Sequence, residues 1–164
     1  MATWSVTERR WVNAAAAETL IKRAGERWTL YLKPGCPFCT KTAFYLAEAG
    51  LIDKIKIELD TQENRDYITG AVGKCSFPAL ELAPGSVMLE SDDIRDFIFE
   101  QAGIDVSASR FPLSEYYVAG LFKNYRTFYR YVSEKEGGQE GFMQVLEAGR
   151  AGTEFPVSPI MTSP

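Results

Sequence analysis

The sequence predicts an α/β fold: a mixed four-stranded sheet flanked by helices, followed by a helical C-terminal extension. Three observations predict it. An apolar run over 28–32 leads directly into a helix-forming segment, and the polar–apolar alternation over 54–59 indicates a second strand. Two short apolar runs then flank Ala83-Pro84-Gly85 in the manner of a hairpin. Strands joined through a helix run parallel and a hairpin adds an antiparallel strand, so the sheet should be mixed.

The ends of the expected helices are marked by capping residues. Ser5 and Glu8 have the spacing of a capping box, Pro37 suits a first helical position with Cys36 at the N-cap, and Ser91 precedes two acids. The expected elements, in order, are a helix over about 6–24, a strand over 28–32, a helix over 37–49, a strand with one buried face over 54–59, a helix over 61–72, strands over 77–82 and 86–89, and a helix over 91–101.

The chain changes character beyond Gly103. Residues 104–112 are expected to form a connection and 113–132 an aromatic-rich helix, followed by a weaker helix over about 139–148 and an irregular last dozen residues. We therefore predict a first domain over 1–103 and a helical extension over 104–164. Apolar side chains recur at helical spacing along the aromatic-rich segment and should form its buried stripe: Leu113, Tyr117, Leu121, Tyr125, Phe128 and Val132.

Composition excludes several classes of function. The net charge of −4 and pI near 5.0 argue against a nucleic-acid binder, and no segment is apolar enough to span a bilayer. The absence of histidine excludes Ser-His and Cys-His hydrolases and removes the commonest metal ligand. We expect no signal peptide, because acids interrupt the N-terminal segment, and three cysteines do not form a secreted disulfide scaffold. A reducing compartment, the cytoplasm, is expected.

Cys36-Pro37-Phe38-Cys39 is the motif that indicates chemistry. It follows a predicted strand and begins a helix, so the two thiols can face each other while Cys36 lies at the helix N-terminus. This arrangement suits reversible disulfide exchange, with Cys36 as nucleophile and Cys39 as resolving thiol. A zinc site would need four ligands, and with no histidine and only Cys75 besides the pair we expect no metal.

Three motifs together resemble the glutaredoxin and glutathione-transferase branch of the thioredoxin superfamily, over about residues 27–103. The loop Lys33-Pro34-Gly35-Cys36-Pro37-Phe38-Cys39 resembles the glutaredoxin active site, and Ser76-Phe77-Pro78 resembles the segment that carries a cis-proline. The turn Leu89-Glu90-Ser91-Asp92-Asp93-Ile94 resembles the glutathione-binding turn, in a version closer to the transferases. The resemblance implies a thioredoxin-like, glutaredoxin-type sheet with glutathione as reductant or substrate, and no tightly bound cofactor.

The resemblance also implies roles for six further residues. Pro78 would be cis and leave the backbone of Phe77 free to pair with glutathione, although a proline at a strand edge is the simpler interpretation. The N–H groups of Ser91 and Asp92 would bind the γ-glutamyl carboxylate, and Glu90 or Asp92 its ammonium group; both could equally be a plain helix cap. Lys33 could stabilise the Cys36 thiolate or pair with the glycine carboxylate.

Three functions follow from this interpretation. The first is a glutaredoxin-like oxidoreductase that reduces disulfide-containing or glutathionylated proteins through its dithiol and passes electrons on from glutathione. The second is a glutathione transferase or isomerase-like enzyme, in which the C-terminal helices shape an electrophile pocket. The third is a glutathione- or iron–sulfur-binding module. Cluster-binding relatives usually carry a CGFS-type loop, and the CPFC loop of this chain differs from it. Cys75 is expected to be passive, and the aromatic helix to pack on the main domain.

Overall fold

The computed structural model describes residues 28–150 together with two short strands, β1 (Thr3–Ser5) and β2 (Arg10–Val12). These strands pair antiparallel, with Trp4 opposite Trp11. The helix predicted over about 6–24 is therefore wrong at residues 10–12, where Trp and Val favour extended backbone. The rest of that helix, and the last dozen residues that were expected to be irregular, lie outside the described residues.

The predicted mixed four-stranded sheet is confirmed. Its order is β4-β3-β5-β6; β3 pairs with β4 in parallel, and the other two pairs are antiparallel. Its strands are β3 (Thr29–Leu32), β4 (Lys56–Leu59), β5 (Ala79–Ala83) and β6 (Ser86–Leu89). The inner strand β3 ends at Leu32 and leads through a short turn into the following helix, whose first turn carries the thiol pair.

The helices agree with the predicted order, with small shifts at their ends. Thr61 caps the second helix through its side chain and Gly73 ends it with a left-handed backbone, at φ 77°. The described helices are α1 (Pro37–Glu48), α2 (Gln62–Val72), α3 (Ser91–Gln101), α4 (Pro112–Tyr117), α5 (Lys123–Lys135) and α6 (Gln139–Arg150), with a 3₁₀ turn at Ile52–Lys54 and a π-helical turn at Val118–Phe122.

The two faces of the sheet have separate apolar clusters. The larger joins β3 and β5 to α1 and α3; its fully buried members are Leu30, Leu46, Leu51, Leu80, Ile94, Ile98 and Phe99. The smaller contains Tyr31, Ala79 and Ile68 from α2. The strand predicted from residue 54 begins at Lys56. The prediction that one of its faces is buried is wrong, because Ile57 and Leu59 are 39% and 55% exposed. As an edge strand, β4 has a neighbouring strand on one side only.

The chain divides into two compact units, Met1–Phe122 and Lys123–Pro164. The first unit includes α4 because α1 holds its N-terminus. The buried carboxylate of Glu48 accepts hydrogen bonds from the N–H of Leu113 (2.9 Å) and from the N–H and hydroxyl of Ser114 (2.8 and 2.6 Å). A carboxylate at a helix N-terminus satisfies N–H groups that have no partner within the helix. The domain boundary after residue 103 stays a prediction.

The π-helical turn changes which side chains of the aromatic segment are buried. A π turn adds one residue to a helical turn, so that the face below it is offset. Leu113, Leu121 and Phe128 of the predicted stripe are 63%, 67% and 43% exposed, so this part of the prediction is wrong, whereas Tyr117 and Val132 are buried as predicted. Phe122, five residues after Tyr117 and outside the predicted stripe, is buried with it in the first unit.

The second unit is built from α5 and α6. Its core contains Val132, Phe142 and Val145, and the Tyr129 and Phe142 rings meet edge to face with centroids 4.7 Å apart. The predicted helix over about 139–148 is confirmed. Of the helices that the structure describes, none has the length and apolar character that a membrane span requires.

Replacing Glu48 should destabilise the first unit. We expect Glu48→Ala to lower the free energy of unfolding by about 2–3 kcal/mol, because it leaves the N–H and hydroxyl of the buried Ser114, and the N–H of Leu113, without their charged acceptor. Urea denaturation followed by circular dichroism would measure the change.

The matched control is Glu100→Ala, which removes an exposed glutamate near the end of α3. We expect that change to stay within about 0.5 kcal/mol of the parent protein. Equal losses in the two variants would show that the Glu48 hydrogen bonds contribute nothing specific to stability.

Candidate active site at the thiol pair

Cys36 is the N-cap of α1, as predicted. The chain leaves β3 at Leu32, turns through Gly35 and presents the Cys36 sulfur to the first turn of the helix. There the Cys36 Sγ accepts the backbone N–H of Cys39 at 3.4 Å. Pro37 occupies the first helical position, where its missing N–H costs no hydrogen bond. Cys36 is partly exposed, so a substrate can reach the sulfur.

Cys39 lies one turn into the helix and is buried. Its sulfur accepts the backbone N–H of Lys33 at 3.3 Å. The hydrogen bond with Cys36 raises the pKa of the Cys39 thiol, and burial raises it further. Cys39 therefore keeps its proton at neutral pH and can donate it to a charged neighbour.

The pKa of Cys36 is lowered to about 6. The main cause is the hydrogen bond from the Cys39 thiol, to which the backbone N–H groups of Cys39 and Phe38 and the charge of Lys33 add, while burial opposes them. An ordinary cysteine thiol has a pKa of ~8.5, so only a few per cent of it is thiolate at neutral pH. Cys36 is largely thiolate at pH 7, and it is the better nucleophile of the pair.

The Phe77–Pro78 peptide bond is cis, as predicted, and lies against the thiols. The Cys36 sulfur lies 3.7 Å from the carbonyl oxygen of Phe77. Pro78 is fully buried at the start of β5. The structure thus brings Phe77 and Cys36 together from segments 41 residues apart.

Lys33 contributes to the site through its backbone and its charge. Besides the N–H that bonds Cys39, its ammonium group lies 4.0 Å from the Asp60 carboxylate and is partly exposed. Asp60 is itself held by Arg65, through two hydrogen bonds of 2.5 and 2.6 Å. Part of the Lys33 charge is therefore compensated, which agrees with its minor share in lowering the Cys36 pKa.

Glu90, Ser91 and Asp92 lie at the start of α3, but the prediction that Ser91 caps this helix is wrong. Glu90 is the N-cap and Ser91 is already helical, because Glu90 adopts a left-handed backbone at φ 74° that cannot continue into a helix. The Glu90 side chain is exposed, 4.0 Å from the ammonium group of Lys74, and Ser91 is buried. A non-glycine residue with this φ is uncommon and occurs often at ligand sites.

Asp92 is joined to the thiol-bearing helix through Lys41, a residue that sequence reasoning missed. The Lys41 ammonium group lies 2.9 Å from the Asp92 carboxylate, and Arg95 holds the second carboxylate oxygen, also at 2.9 Å. Lys41 is buried, and its charge lies 5.9 Å from the ring centroid of Phe38 and 5.0 Å from that of Phe122. The sequence signal that could have identified Lys41 is a lysine at a position of α1 that faces the core.

Tyr117 and Phe122 also reach the thiol turn and were not assigned to the site. The Tyr117 hydroxyl donates a hydrogen bond to the Pro37 carbonyl at 2.9 Å. Burial raises the pKa of Tyr117, with a smaller contribution from the charge of the thiol pair. The Phe122 ring meets Phe38 edge to face, with centroids 5.1 Å apart. No sequence pattern indicated the π turn that brings both residues into contact with α1.

Cys75 is exposed, and partial desolvation and the Asp60 carboxylate raise its pKa. It is therefore a poorer nucleophile at neutral pH than Cys36. Within the described ranges, no group of three or more His, Cys, Asp and Glu residues is placed to hold a metal ion.

Residues 30–106 match the family model described as glutathione S-transferase, N-terminal domain, which covers slightly less than half of the chain. No curated protein matches the chain significantly. Domains of this family have the thioredoxin-like fold and bind glutathione, and the mixed sheet with its flanking helices agrees with that fold. Residues 30–106 are therefore similar to the N-terminal domain of glutathione S-transferases, and their fold is thioredoxin-like.

Proposed function

We propose that this protein is a glutathione-dependent thiol–disulfide oxidoreductase of the glutaredoxin-like kind, acting on disulfide-containing or glutathionylated proteins in the cytoplasm. The observation that carries the proposal is the partly exposed Cys36 sulfur at the start of α1, which accepts the N–H of Cys39 beside the buried Cys39 thiol and has its pKa lowered to about 6. A glutathione-binding domain type around this pair indicates the reductant.

The first step would be attack of the Cys36 thiolate on the glutathione sulfur of a mixed disulfide. The new bond joins Cys36 to glutathione, the old S–S bond breaks, and the protein substrate leaves as a thiolate that takes a proton from solvent. The low pKa of Cys36 supplies the attacking thiolate, because the Cys39 thiol and the N–H groups of the first turn stabilise it.

The second step has two routes with the same electron balance. A second glutathione thiolate can attack the glutathione sulfur bound to Cys36, releasing glutathione disulfide and restoring the Cys36 thiolate. Alternatively, Cys39 loses its proton and attacks Cys36, which releases glutathione and leaves an intramolecular disulfide that two further glutathione molecules reduce. Burial of Cys39 disfavours its thiolate, which favours the first route at neutral pH.

Glutathione itself would lie between the thiols and the start of α3. Its extended backbone would pair with the main chain of Phe77, which Pro78 holds against Cys36, and its glycine carboxylate would meet Lys33. The N–H groups at Ser91 and Asp92 would bind the γ-glutamyl carboxylate. Since the Asp92 carboxylate already holds two cations, we assign the ammonium group of glutathione to the exposed Glu90.

A transferase reaction is the second candidate, and the position of the extension favours it. Tyr117 and Phe122 border the thiol turn, where an electrophile would have to sit. In such an enzyme Cys36 would bind or activate glutathione for conjugation. Conjugation of 1-chloro-2,4-dinitrobenzene to glutathione, without net disulfide reduction, would separate this candidate from the first.

The primary test is reduction of a glutathione mixed disulfide coupled to glutathione reductase. We expect turnover by the intact protein, loss of turnover in Cys36→Ser, and partial turnover in Cys39→Ser, because the route through a second glutathione needs only Cys36. Cys75→Ser is the matched control and should keep full turnover, since Cys75 lies outside the pair. Absence of turnover in the intact protein would refute the oxidoreductase proposal.

The pH dependence of alkylation tests the thiolate directly. The rate at which iodoacetamide modifies Cys36 should rise with pH and reach half its maximum near pH 6, since only the thiolate reacts and the pKa of Cys36 is about 6. Mass spectrometry of the peptides would follow each cysteine separately.

In Cys39→Ala the midpoint should move upward, toward the ordinary cysteine value of ~8.5, because the strongest hydrogen bond to the thiolate is lost. A midpoint unchanged by Cys39→Ala would show that the backbone N–H groups and the helix end alone stabilise the thiolate.

A further inference from the structure

Lys41 carries a charge and is nevertheless buried. It is 5% exposed, and burial of an ammonium group is costly unless a counter-charge and further contacts compensate it. Its counter-charge is Asp92, 2.9 Å away, and the Phe38 and Phe122 rings lie on its other sides. Helix α1 therefore places a fixed positive charge at the first turn of α3.

The first turn of α3 would otherwise be strongly acidic. Glu90, Asp92 and Asp93 fall within four residues of sequence. Acids at this position favour the helix, because they interact with its positive end, but the same charges repel an incoming carboxylate. A carboxylate subsite at this turn therefore needs positive charge close to the acids.

Two cations supply that charge at Asp92. Lys41 binds one carboxylate oxygen and Arg95 the other, both at 2.9 Å. Arg95 is shared with the Asp96 carboxylate, 2.7 Å away, so Lys41 supplies the charge that neutralises Asp92 beside the N–H groups that open α3. Lys41 is buried while the Asp92 side chain is 59% exposed, so Lys41 would act on a ligand through Asp92.

We propose that Lys41 is a specificity-determining residue of the glutathione subsite, which makes the first turn of α3 receptive to the γ-glutamyl carboxylate by neutralising Asp92. This inference rests on the proposed binding of glutathione at that turn. It adds that recognition of this carboxylate depends on a residue of the thiol-bearing helix. Because Lys41 also contacts Phe38 of the thiol loop, the charge and the reacting sulfurs are held in one geometry.

The test compares two non-reactive probes by isothermal titration calorimetry. One is S-methylglutathione, and the other is its analogue without the γ-glutamyl α-carboxylate. We expect the parent protein to prefer the first probe, and Lys41→Met to weaken binding of the first by about tenfold, the order of a single lost charge interaction, while changing the second less than about twofold. Lys41→Arg should keep the preference.

Lys56→Met is the matched control, because it removes an exposed lysine from β4 with the same loss of charge. It should leave both affinities unchanged. The midpoint of Cys36 alkylation should also be unchanged in Lys41→Met, which confirms that the thiol turn is intact. Equal weakening of both probes, or no weakening of either, would overturn the proposal for Lys41 while glutathione binding stands.

Asp92→Asn provides a second variant that leaves the buried lysine in place. It removes the negative charge and keeps a hydrogen-bond acceptor for Lys41, so we expect S-methylglutathione to bind as tightly as before or more tightly. Weaker binding would identify Asp92 as the acceptor of the ammonium group and overturn the neutralisation argument. Failure of the parent protein to bind either probe would instead remove the proposed function, and the inference with it.

Discussion

The hydrogen bonds at the first turn of α1 are the interactions on which the site depends. Cys36 accepts the N–H of Cys39 and the hydrogen bond of its thiol, so the sulfur occupies the position that a serine or aspartate oxygen takes at other helix starts. Helix formation and thiolate formation therefore reinforce each other. Any change that frays this turn would weaken the nucleophile as well as the helix.

The same helix anchors the other parts of the first unit along its length. At its start Pro37 accepts the Tyr117 hydroxyl, in its middle Lys41 reaches Asp92, and at its end Glu48 holds the N-terminus of α4. Each of these contacts joins α1 to a segment at least 50 residues away in sequence. The orientation of the thiols is consequently set by long-range contacts as well as by the local turn.

The sequence predicted those features that are set by local chemistry. Capping by Cys36, the proline at the next position and the hairpin at Ala83–Gly85 each depend on a few adjacent residues, and all are present in the structure. The features that it missed need tertiary contacts. Glu90 is the N-cap of α3 because of its left-handed backbone, and no composition signal marks a glutamate for that conformation. The roles of Lys41 and Glu48 become visible only when their distant partners are placed beside them.

The π turn at Val118–Phe122 is a local irregularity that changes which side chains of the segment face α1. With regular helical periodicity Tyr117 and Leu121 would share a face, and Phe122 would be turned away from it. The extra residue in the turn places Phe122 beside Tyr117 instead, so that one ring packs on Phe38 and the other on Phe44, with centroids 5.1 and 5.2 Å apart. Residues beyond the matched domain thereby contact two aromatic side chains of α1, one of them inside the CPFC loop. The segment 112–122 therefore shapes the surroundings of the thiols, although it carries none of the groups that react.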